Sequence, residues 1–190
     1  MEYRNDAAVD FLATRRSHPP KLLKDPAPDR AEVMRLLTLA ARAPDHGKLE
    51  PWRFVVLERP ALDRLVPILR QEVLADGQDA AAAEKAVSAF ASPLIVAVIS
   101  APIADHKIPV WEQVLSAGAV CLGLVNAALA SGWGAAWLTG FAATNEGFAQ
   151  AHLGLAAHER VAGLIHIGTR ADAPPERPRP DIDAKTRWLG

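Results

Sequence analysis

Residues 40–55 read Ala-Ala-Arg-Ala-Pro-Asp-His-Gly-Lys-Leu-Glu-Pro-Trp-Arg-Phe-Val, and this stretch decides how the first half of the chain folds. Pro44 cannot donate a helical hydrogen bond and moves Ala43 out of the α region, so a helix that arrives here must end. Arg42 and His46 therefore flank a forced chain reversal. Loops held between rigid elements are where binding residues concentrate, although basic turns are also common on solvated surfaces.

The residues before this turn predict a helix. Asp29 and Glu32 form an Asp-x-x-Glu pattern that is typical of a helix start. The apolar stripe of this helix consists of Val33, Leu36, Leu37 and Ala40. Arg42 falls in its last turn, where a cation also suits the negative end of the helix dipole, so a purely structural role for Arg42 stays open. After the turn, the β-rich residues 54–58 predict a strand.

Two further helical regions follow. Residues 61 to about 90 favour one or two helices, with interruptions expected at Pro67 and Gly77. A long apolar helix is expected from about residue 111 to 131, in which Gly118 and Gly123 permit close approach by a neighbouring element. An all-apolar helix of this length could cross a bilayer, but its many Ala and Gly residues and its lack of a basic flank favour a buried helix.

Three more strands complete the expected sheet. The continuous apolar run 94–99 is typical of an interior strand with both faces covered, and further strands are expected at 135–138 and 161–167. A short helix is expected to start at Thr144. The proline-rich residues 171–190 predict an extended arm.

These elements predict one α+β domain. Helices and strands lack a strict β-α alternation, and the first long strand follows two helices, which favours α+β over a doubly wound sheet. At 190 residues the chain is long enough for one sizeable core and short for two. We expect a single domain over residues 1–190, with a core at about 10–170 and the arm at 171–190.

Composition excludes several classes of function. The formal net charge is −1, so nothing favours nucleic acid as a partner. Cys121 is the single cysteine, and its apolar neighbours predict a buried hydrophobe in a reducing compartment. Residues 1–6 lack the pattern of a secretory signal, which favours the cytoplasm.

Sequence motifs exclude some chemistries and leave one open. The chain has no glycine-rich dinucleotide or Walker motif and no Gly-x-Ser-x-Gly elbow. Its six histidines lack metal-ligand spacing, so no metal is expected. A zinc hydrolase that uses Asp45, His46 and His106 remains a remote alternative.

Arg15-Arg16-Ser17 is a second candidate site. It follows the apolar periodic residues 7–12 and precedes Pro19-Pro20, which ends any helix. The planar fork of arginine fits two phosphate oxygens at once, and serine adds a short donor. The triplet therefore indicates an anion site, with a solvated helix end as the alternative.

The spacing of several motifs is more informative than any one of them. They are Arg15-Arg16-Ser17, the run 42–46, Pro51-Trp52-Arg53-Phe54, His106-Lys107-Ile108-Pro109, Trp111-Glu112-Gln113, Ser116-Ala117-Gly118 and residues 134–140. Together they resemble the nitroreductase family of flavin enzymes, in particular its small single-domain branch. The resemblance covers roughly residues 10–170.

This resemblance implies a fold and a cofactor. The expected fold is a mixed, mainly antiparallel sheet flanked by helices, in an intertwined homodimer with FMN at the subunit interface. Arg15, Arg16 and Ser17 would hold FMN in the cleft of one subunit, and Arg42 and His46 would reach the same flavin from the other. Trp137, Leu138 and Thr139 match the backbone segment that lines the flavin, although Trp137 could equally be a core residue.

The implied activity needs no catalytic side chain, because the flavin carries the chemistry. We expect NADH or NADPH to reduce FMN and a small nitroaromatic or quinone-like acceptor to reoxidise it, with both substrates alternating at one site. An arginine near the N1/O2 edge would stabilise the anionic reduced form, and the sequence does not say which one. A non-catalytic flavin-binding protein and a scaffold without a cofactor are the alternatives. Many members of the family carry basic residues after Gly168 that help to bind phosphate. The candidates for this role here are Arg170, Arg177 and Arg179, in a tail that matches the family poorly.

Overall fold

The computed structural model describes residues 3–172 and 174–190, so Met1, Glu2 and Ala173, which belong to the predicted domain and its arm, lie outside the described residues. The helices are α1 (Asp6–Thr14), α2 (Arg30–Ala40), α3 (Arg59–Ala75), α4 (Ala80–Ala89), α5 (Val110–Ala130), α6 (Phe141–Thr144) and α7 (Glu146–Leu153). The strands are β1 (Leu23–Lys24), β2 (Trp52–Glu58), β3 (Leu94–Ser100), β4 (Gly134–Leu138) and β5 (Arg160–Arg170). The arm has one short 3-10 turn, Asp183–Lys185.

The sheet is organised around β5. Strand β3 pairs with one edge of β5 and β2 lies beyond β3, whereas β4 and the short β1 pair with the other edge. Ala136 lies opposite His166 and Leu23 lies opposite Arg170, so β4 and β1 follow each other along that edge. Each of these pairings is antiparallel. The predicted α+β fold with a mainly antiparallel sheet flanked by helices is therefore confirmed, and the described strands form no parallel pair that would make the sheet mixed.

Alternate residues of the strands belong to two separate hydrophobic cores, one on each face of the sheet. Val96 and Ile165 face a core that they share with α2 and α5. Ile95 and Leu164 face the opposite core, which is built from α3, α4, α6 and α7. Every residue of β3 is buried, as the continuous apolar run predicts for a strand with both faces covered.

Helix α2 begins and ends close to the predicted positions. The Asp29 carboxylate accepts a hydrogen bond of 2.8 Å from the backbone N–H of Glu32, which satisfies one of the free donors of the first turn. Glu32 does not complete the reciprocal capping box, because its carboxylate accepts from the indole of Trp133 at 3.0 Å. The helix ends at Ala40, so Arg42 lies in the turn that follows and not in the last helical turn.

Helix α5 packs closely against α2. A Cβ atom at Gly123 would lie 3.1 Å from the carbonyl oxygen of Ala40, which explains the glycine. Helix α5 is long and apolar enough to span a bilayer, but more than half of its most apolar window is buried inside the fold. Cys121 is fully buried, and burial raises the pKa of its thiol to about 12, so the thiol is inert at neutral pH.

Two local predictions were wrong. Pro67 does not interrupt α3, because it lies on the exposed side of the helix while Leu62 and Leu69 pack on the buried side. The helix ends before Gly77, where φ is 84°. Thr144 does not start the short helix but ends α6. The cap of α7 is Asn145, whose side chain accepts from the backbone N–H of Phe148 at 2.8 Å.

A partly buried ion pair, in which Glu159 is buried and the Arg53 side chain is 39% exposed, closes the loop between α7 and β5. Arg53 on β2 donates to both carboxylate oxygens of Glu159, at 2.7 Å and 2.6 Å, and the backbone N–H of Ala156 donates to the same carboxylate at 2.8 Å. The hydrogen bonds from Arg53 are the main reason that the pKa of Glu159 falls to about 2. The pair therefore makes its full contribution to stability above the ordinary carboxyl pKa. That contribution is lost as the pH falls from there towards 2.

We expect Glu159→Gln to lower the free energy of unfolding at pH 7 by about 1–3 kcal/mol, because a buried carboxylate loses its charge-assisted hydrogen bonds to a partly exposed arginine. The difference between the two proteins should shrink as the pH falls from 5 towards 2, since Glu159 of the unfolded parent takes up a proton near its ordinary pKa, whereas the folded parent keeps the charge down to about pH 2. Urea unfolding at each pH measures this, and Glu146→Gln, in an exposed pair with Arg160, is the matched control. A difference that is independent of pH would contradict this role for the Glu159 carboxylate.

Candidate functional site

The segment 15–21 is tied at His18 to the outer edge of β4. The backbone N–H of His18 donates to the carbonyl of Ala135 at 2.8 Å, so Ala135 turns its backbone groups away from β5. Backbone direction alternates along an antiparallel strand, so Trp137 also presents its N–H and C=O at this outer edge. The edge is therefore a set of fixed backbone donors and acceptors next to the basic segment.

Arg15, Arg16 and Ser17 line a cavity of about 500 Å³ that the C-terminal arm closes from the other side. The arm contributes Arg177, Pro178, Arg179 and Pro180 to the lining. Glu176 of the arm accepts from Arg16 at 3.1 Å and from Arg179 at 2.8 Å, which holds the arm against the segment. The structure thus places Arg177 and Arg179, whose role was open from the sequence alone, at the predicted anion site.

The electrostatics of this arginine cavity favour an anion. Arg15 donates to the hydroxyl of Ser17 at 3.2 Å, while its buried Nε has no hydrogen-bond partner among residues 3–172 and 174–190. Burial, followed by the like charges of Arg16 and Arg179, lowers the pKa of Arg15. Phosphate oxygens would satisfy the free donor and offset the repulsion between the guanidinium groups.

A second, apolar cavity of about 870 Å³ lies beside the first. It is lined by Pro19, Pro20 and Lys21, by α4 and Leu69, and by the stretch Trp137–Ala142 at the end of β4. Ser17 of the arginine cavity and Pro19 of the apolar cavity are two residues apart, so their Cα atoms are at most about 7 Å apart. One ligand with an anionic end and an apolar end could therefore occupy both cavities.

Trp137 is not a core residue. It is 41% exposed, and its indole lies directly against Gly163 of β5, where a Cβ atom would come within 2.1 Å of Nε1. The far end of the ring reaches α5, where a Cβ at Gly118 would be 3.9 Å from it. The two glycines thus make room for the indole between β5 and α5.

The turn with Arg42 and His46 is attached to the start of α5. His46 Nδ1 lies 2.7 Å from a Glu112 carboxylate oxygen, and the hydroxyl of Ser116 donates to the carbonyl of Pro44 at 2.8 Å. Both Arg42 and His46 are exposed, and neither lines the two cavities of this protomer. Within one copy of the chain, the two halves of the predicted site therefore do not meet.

Sequence reasoning missed part of the lining. The charged residues that line the apolar cavity are Lys21 and Lys85, and among the described residues no arginine lines it. Lys21 follows the arginine triplet and the two prolines directly, a spacing that could have marked it. Lys85 comes from α4, and no local pattern connects that helix to the site.

Comparisons with known proteins identify the family of the chain. The model of the family described as Nitroreductase matches residues 12–169. The chain belongs to the nitroreductase family.

This family is one of oxidoreductases. Among the relatives of this nitroreductase-family chain is an Escherichia coli (strain K12) protein named "Putative NAD(P)H nitroreductase YdjA", which is 35% identical over 163 residues, or 85% of this chain and 87% of that protein. A nitroreductase-like protein from Bacillus cereus has the same fold, with a TM-score of 0.78 at 23% identity over 98% of this chain and 97% of that one. An FMN-dependent nitroreductase from Clostridium difficile R20291 aligns with a TM-score of 0.67 at 19% identity, over 96% and 99% of the two chains.

Proposed function

We propose that this protein is an FMN-dependent oxidoreductase that uses NADH or NADPH to reduce small nitroaromatic or quinone-like acceptors. The observation that carries the proposal is the segment 15–21, which lines both an arginine-rich cavity and an adjoining apolar cavity. FMN has matching parts, a phosphate and a flat ring system that is apolar apart from the polar edge of its pyrimidine ring. The solved relative that is described as FMN-dependent shares this fold. The proposal takes residues 1–190 as one domain and places it in the cytoplasm.

The residues present fit the cofactor. Arg15, Arg16 and Ser17 would bind the phosphate together with Arg177 and Arg179, because these donors already surround one cavity and the Nε of Arg15 is buried without a partner in the part of the chain that the structure describes. No pair of side chains in the chain is needed for acid–base work. When bound, the flavin accepts hydride from the nicotinamide and passes the electrons to the acceptor.

The rest of the protein orients the ring system. The end of β4, with Trp137, Leu138 and Thr139, would face the flavin with backbone donors and acceptors, since Trp137 presents its N–H and C=O at the outer edge. Leu138 turns its N–H and C=O towards β5 by the same alternation, and its side chain carries no polar atom, so it would add only apolar contact. Lys21 and Lys85 add positive charge at the same cavity.

The complete site would need a second copy of the chain. Helix α5 exposes an apolar stripe whose members are Trp111 (63% exposed), Val114, Leu115 (63%) and Leu122. The turn with Arg42 and His46 is attached to the start of this helix. A dimer that covers the stripe would carry Arg42 and His46 towards the cavities of the other protomer, which is the arrangement that the family resemblance implies.

The first test is reduction of the loaded protein. We expect protein purified with FMN to be yellow and to lose its absorbance near 450 nm anaerobically on addition of NADH or NADPH, with recovery on addition of a nitroaromatic or quinone. Steady-state double-reciprocal plots should be parallel, because both substrates use one site in turn. A yellow protein that neither nicotinamide bleaches would instead be a flavin binder, and a protein that takes up no FMN would be a scaffold.

The second test asks whether the site is shared between subunits. Arg15→Ala and Arg42→Ala should each weaken FMN binding at least tenfold, because each removes a cation from the cofactor. After mixing and subunit exchange, half of the dimers contain one subunit of each variant. In such a dimer one site carries both substitutions and the other carries neither. About a quarter of all sites should therefore bind FMN tightly.

Titration with FMN measures the tight fraction. The control is a mixture of Arg15→Ala with Arg16→Ala, in which both changes lie in the same half-site and no intact site can form. Recovery in neither mixture, with exchange verified by mass spectrometry, would contradict a site shared between copies.

A further inference from the structure

The C-terminal arm places a carboxylate of its own at the arginine cavity. Oε1 of Glu176 lies 3.1 Å from a guanidinium nitrogen of Arg16 and 2.8 Å from one of Arg179, and both arginines line this cavity. Glu176 follows residues 12–169, which the family model matches, so the contact is a feature of this chain's own tail. The function proposed above gives Glu176 no role.

Glu176 is the counter-ion of a cluster of positive charges. The four guanidinium groups that line the cavity belong to Arg15, Arg16, Arg177 and Arg179. In the part of the chain that the structure describes, Glu176 is the only carboxylate that forms an ion pair with any of them. A phosphate group that enters the cavity would bind the same guanidinium groups. Glu176 and the phosphate therefore compete for these arginines.

The two anions are unequal competitors. The Glu176 side chain is 67% exposed, and ion pairs of exposed side chains contribute little to stability. Arg16 is only 19% exposed, so the less mobile partner of this pair is the arginine that lines the cavity. A phosphate monoester carries a charge of about −1.5 to −2 and three acceptor oxygens, against one charge and two oxygens for a carboxylate. The phosphate is the stronger ligand and repels the carboxylate.

The surroundings of Glu176 keep it anionic. The backbone N–H of Arg177, and then the positive charges of Arg179 and Arg16, lower the pKa of the Glu176 carboxyl, and burial only partly opposes them. The carboxyl is therefore charged at neutral pH. Glu176 thus acts on the cavity as a permanent negative charge under physiological conditions.

We propose that Glu176 is a built-in competitor of the cofactor phosphate, which pairs with Arg16 and Arg179 while the arginine cavity holds no other anion and is displaced when the phosphate binds. This inference rests on the proposed function. The arm then sets how tightly the protein holds FMN, because its arginines attract the phosphate while its glutamate opposes it.

Removal of the charge of Glu176 tests the competition. Glu176→Gln keeps an oxygen that accepts from Arg16 and Arg179, so the arm stays in place, but it removes the negative charge. We expect this variant to bind FMN about twofold to fivefold more tightly than the parent, which is the range for an exposed ion pair. Riboflavin lacks the phosphate and should bind within about twofold of the parent. Fluorescence quenching of each flavin by the apo-protein, in a buffer without phosphate, gives the dissociation constants.

Two further variants separate the pairing from the net charge. Glu176→Asp keeps a carboxylate at this position and should bind FMN within about twofold of the parent. Glu146→Gln removes an exposed glutamate that pairs with Arg160 and lines neither cavity, so it changes the net charge equally. It should leave the binding of both flavins unchanged. Circular dichroism and thermal melting establish that each variant is folded.

The outcomes are distinct. Weaker binding of FMN by Glu176→Gln would show that Glu176 holds the arm in place for the ligand, and unchanged binding would show that its charge does not act on the site. Equal tightening of FMN and riboflavin would show that the effect does not involve the phosphate. Each of these results overturns the competition and leaves the proposed function intact. Failure of the parent to bind FMN would overturn the proposed function and the competition together.

Discussion

One backbone hydrogen bond fixes the arginine half of the candidate site to the sheet. The N–H of His18 donates to the carbonyl of Ala135, which ties the segment 15–21 to the outer edge of β4. Without it, the arginine triplet would be a mobile helix end, since α1 itself has no fully buried residue. With it, the arginine cavity, the apolar cavity and the free edge of β4 lie in a fixed order along a few residues of chain.

The physical demands of the site differ from those of the fold. The fold depends on two apolar cores on the faces of the sheet and on local ties such as Arg53 with Glu159. The site collects like charges instead, with Arg15, Arg16 and Arg179 close enough for burial and repulsion to lower the pKa of Arg15. Such a cluster is stabilised by binding an anion, because the ligand supplies the missing negative charge.

The turn that carries Arg42 and His46 has a strained backbone. In the turn after Pro44, Lys48 and Glu50 both have positive φ, at 54° and 48°, although neither is glycine. Each such conformation costs of order 1 kcal/mol and persists where the surroundings fix it. Here the hydrogen bond between Ser116 and Pro44 and the contact between His46 and Glu112 hold the turn on α5. Arg42 and His46 of this turn line neither cavity of their own protomer.

The sequence was informative where local rules act and uninformative where distant segments meet. Asp29, Pro44 and the apolar run of β3 obey local chemistry, so the start and end of α2 and the central strand followed from them. Pro67 misled because packing of α3 outweighs one missing hydrogen bond. The approach of Arg177 and Arg179 to the triplet, and of Lys85 to the apolar cavity, depends on tertiary packing that no local pattern encodes.

The most direct test of the proposed cofactor position is hydrogen exchange at the backbone amide of Trp137, followed by NMR with and without FMN. We expect this amide, which faces outward from the edge of β4, to exchange quickly in the apo-protein and at least tenfold more slowly with FMN bound, together with amides of residues 16–18. Equal exchange at Trp137 in both states, with FMN bound, would contradict a flavin on this edge.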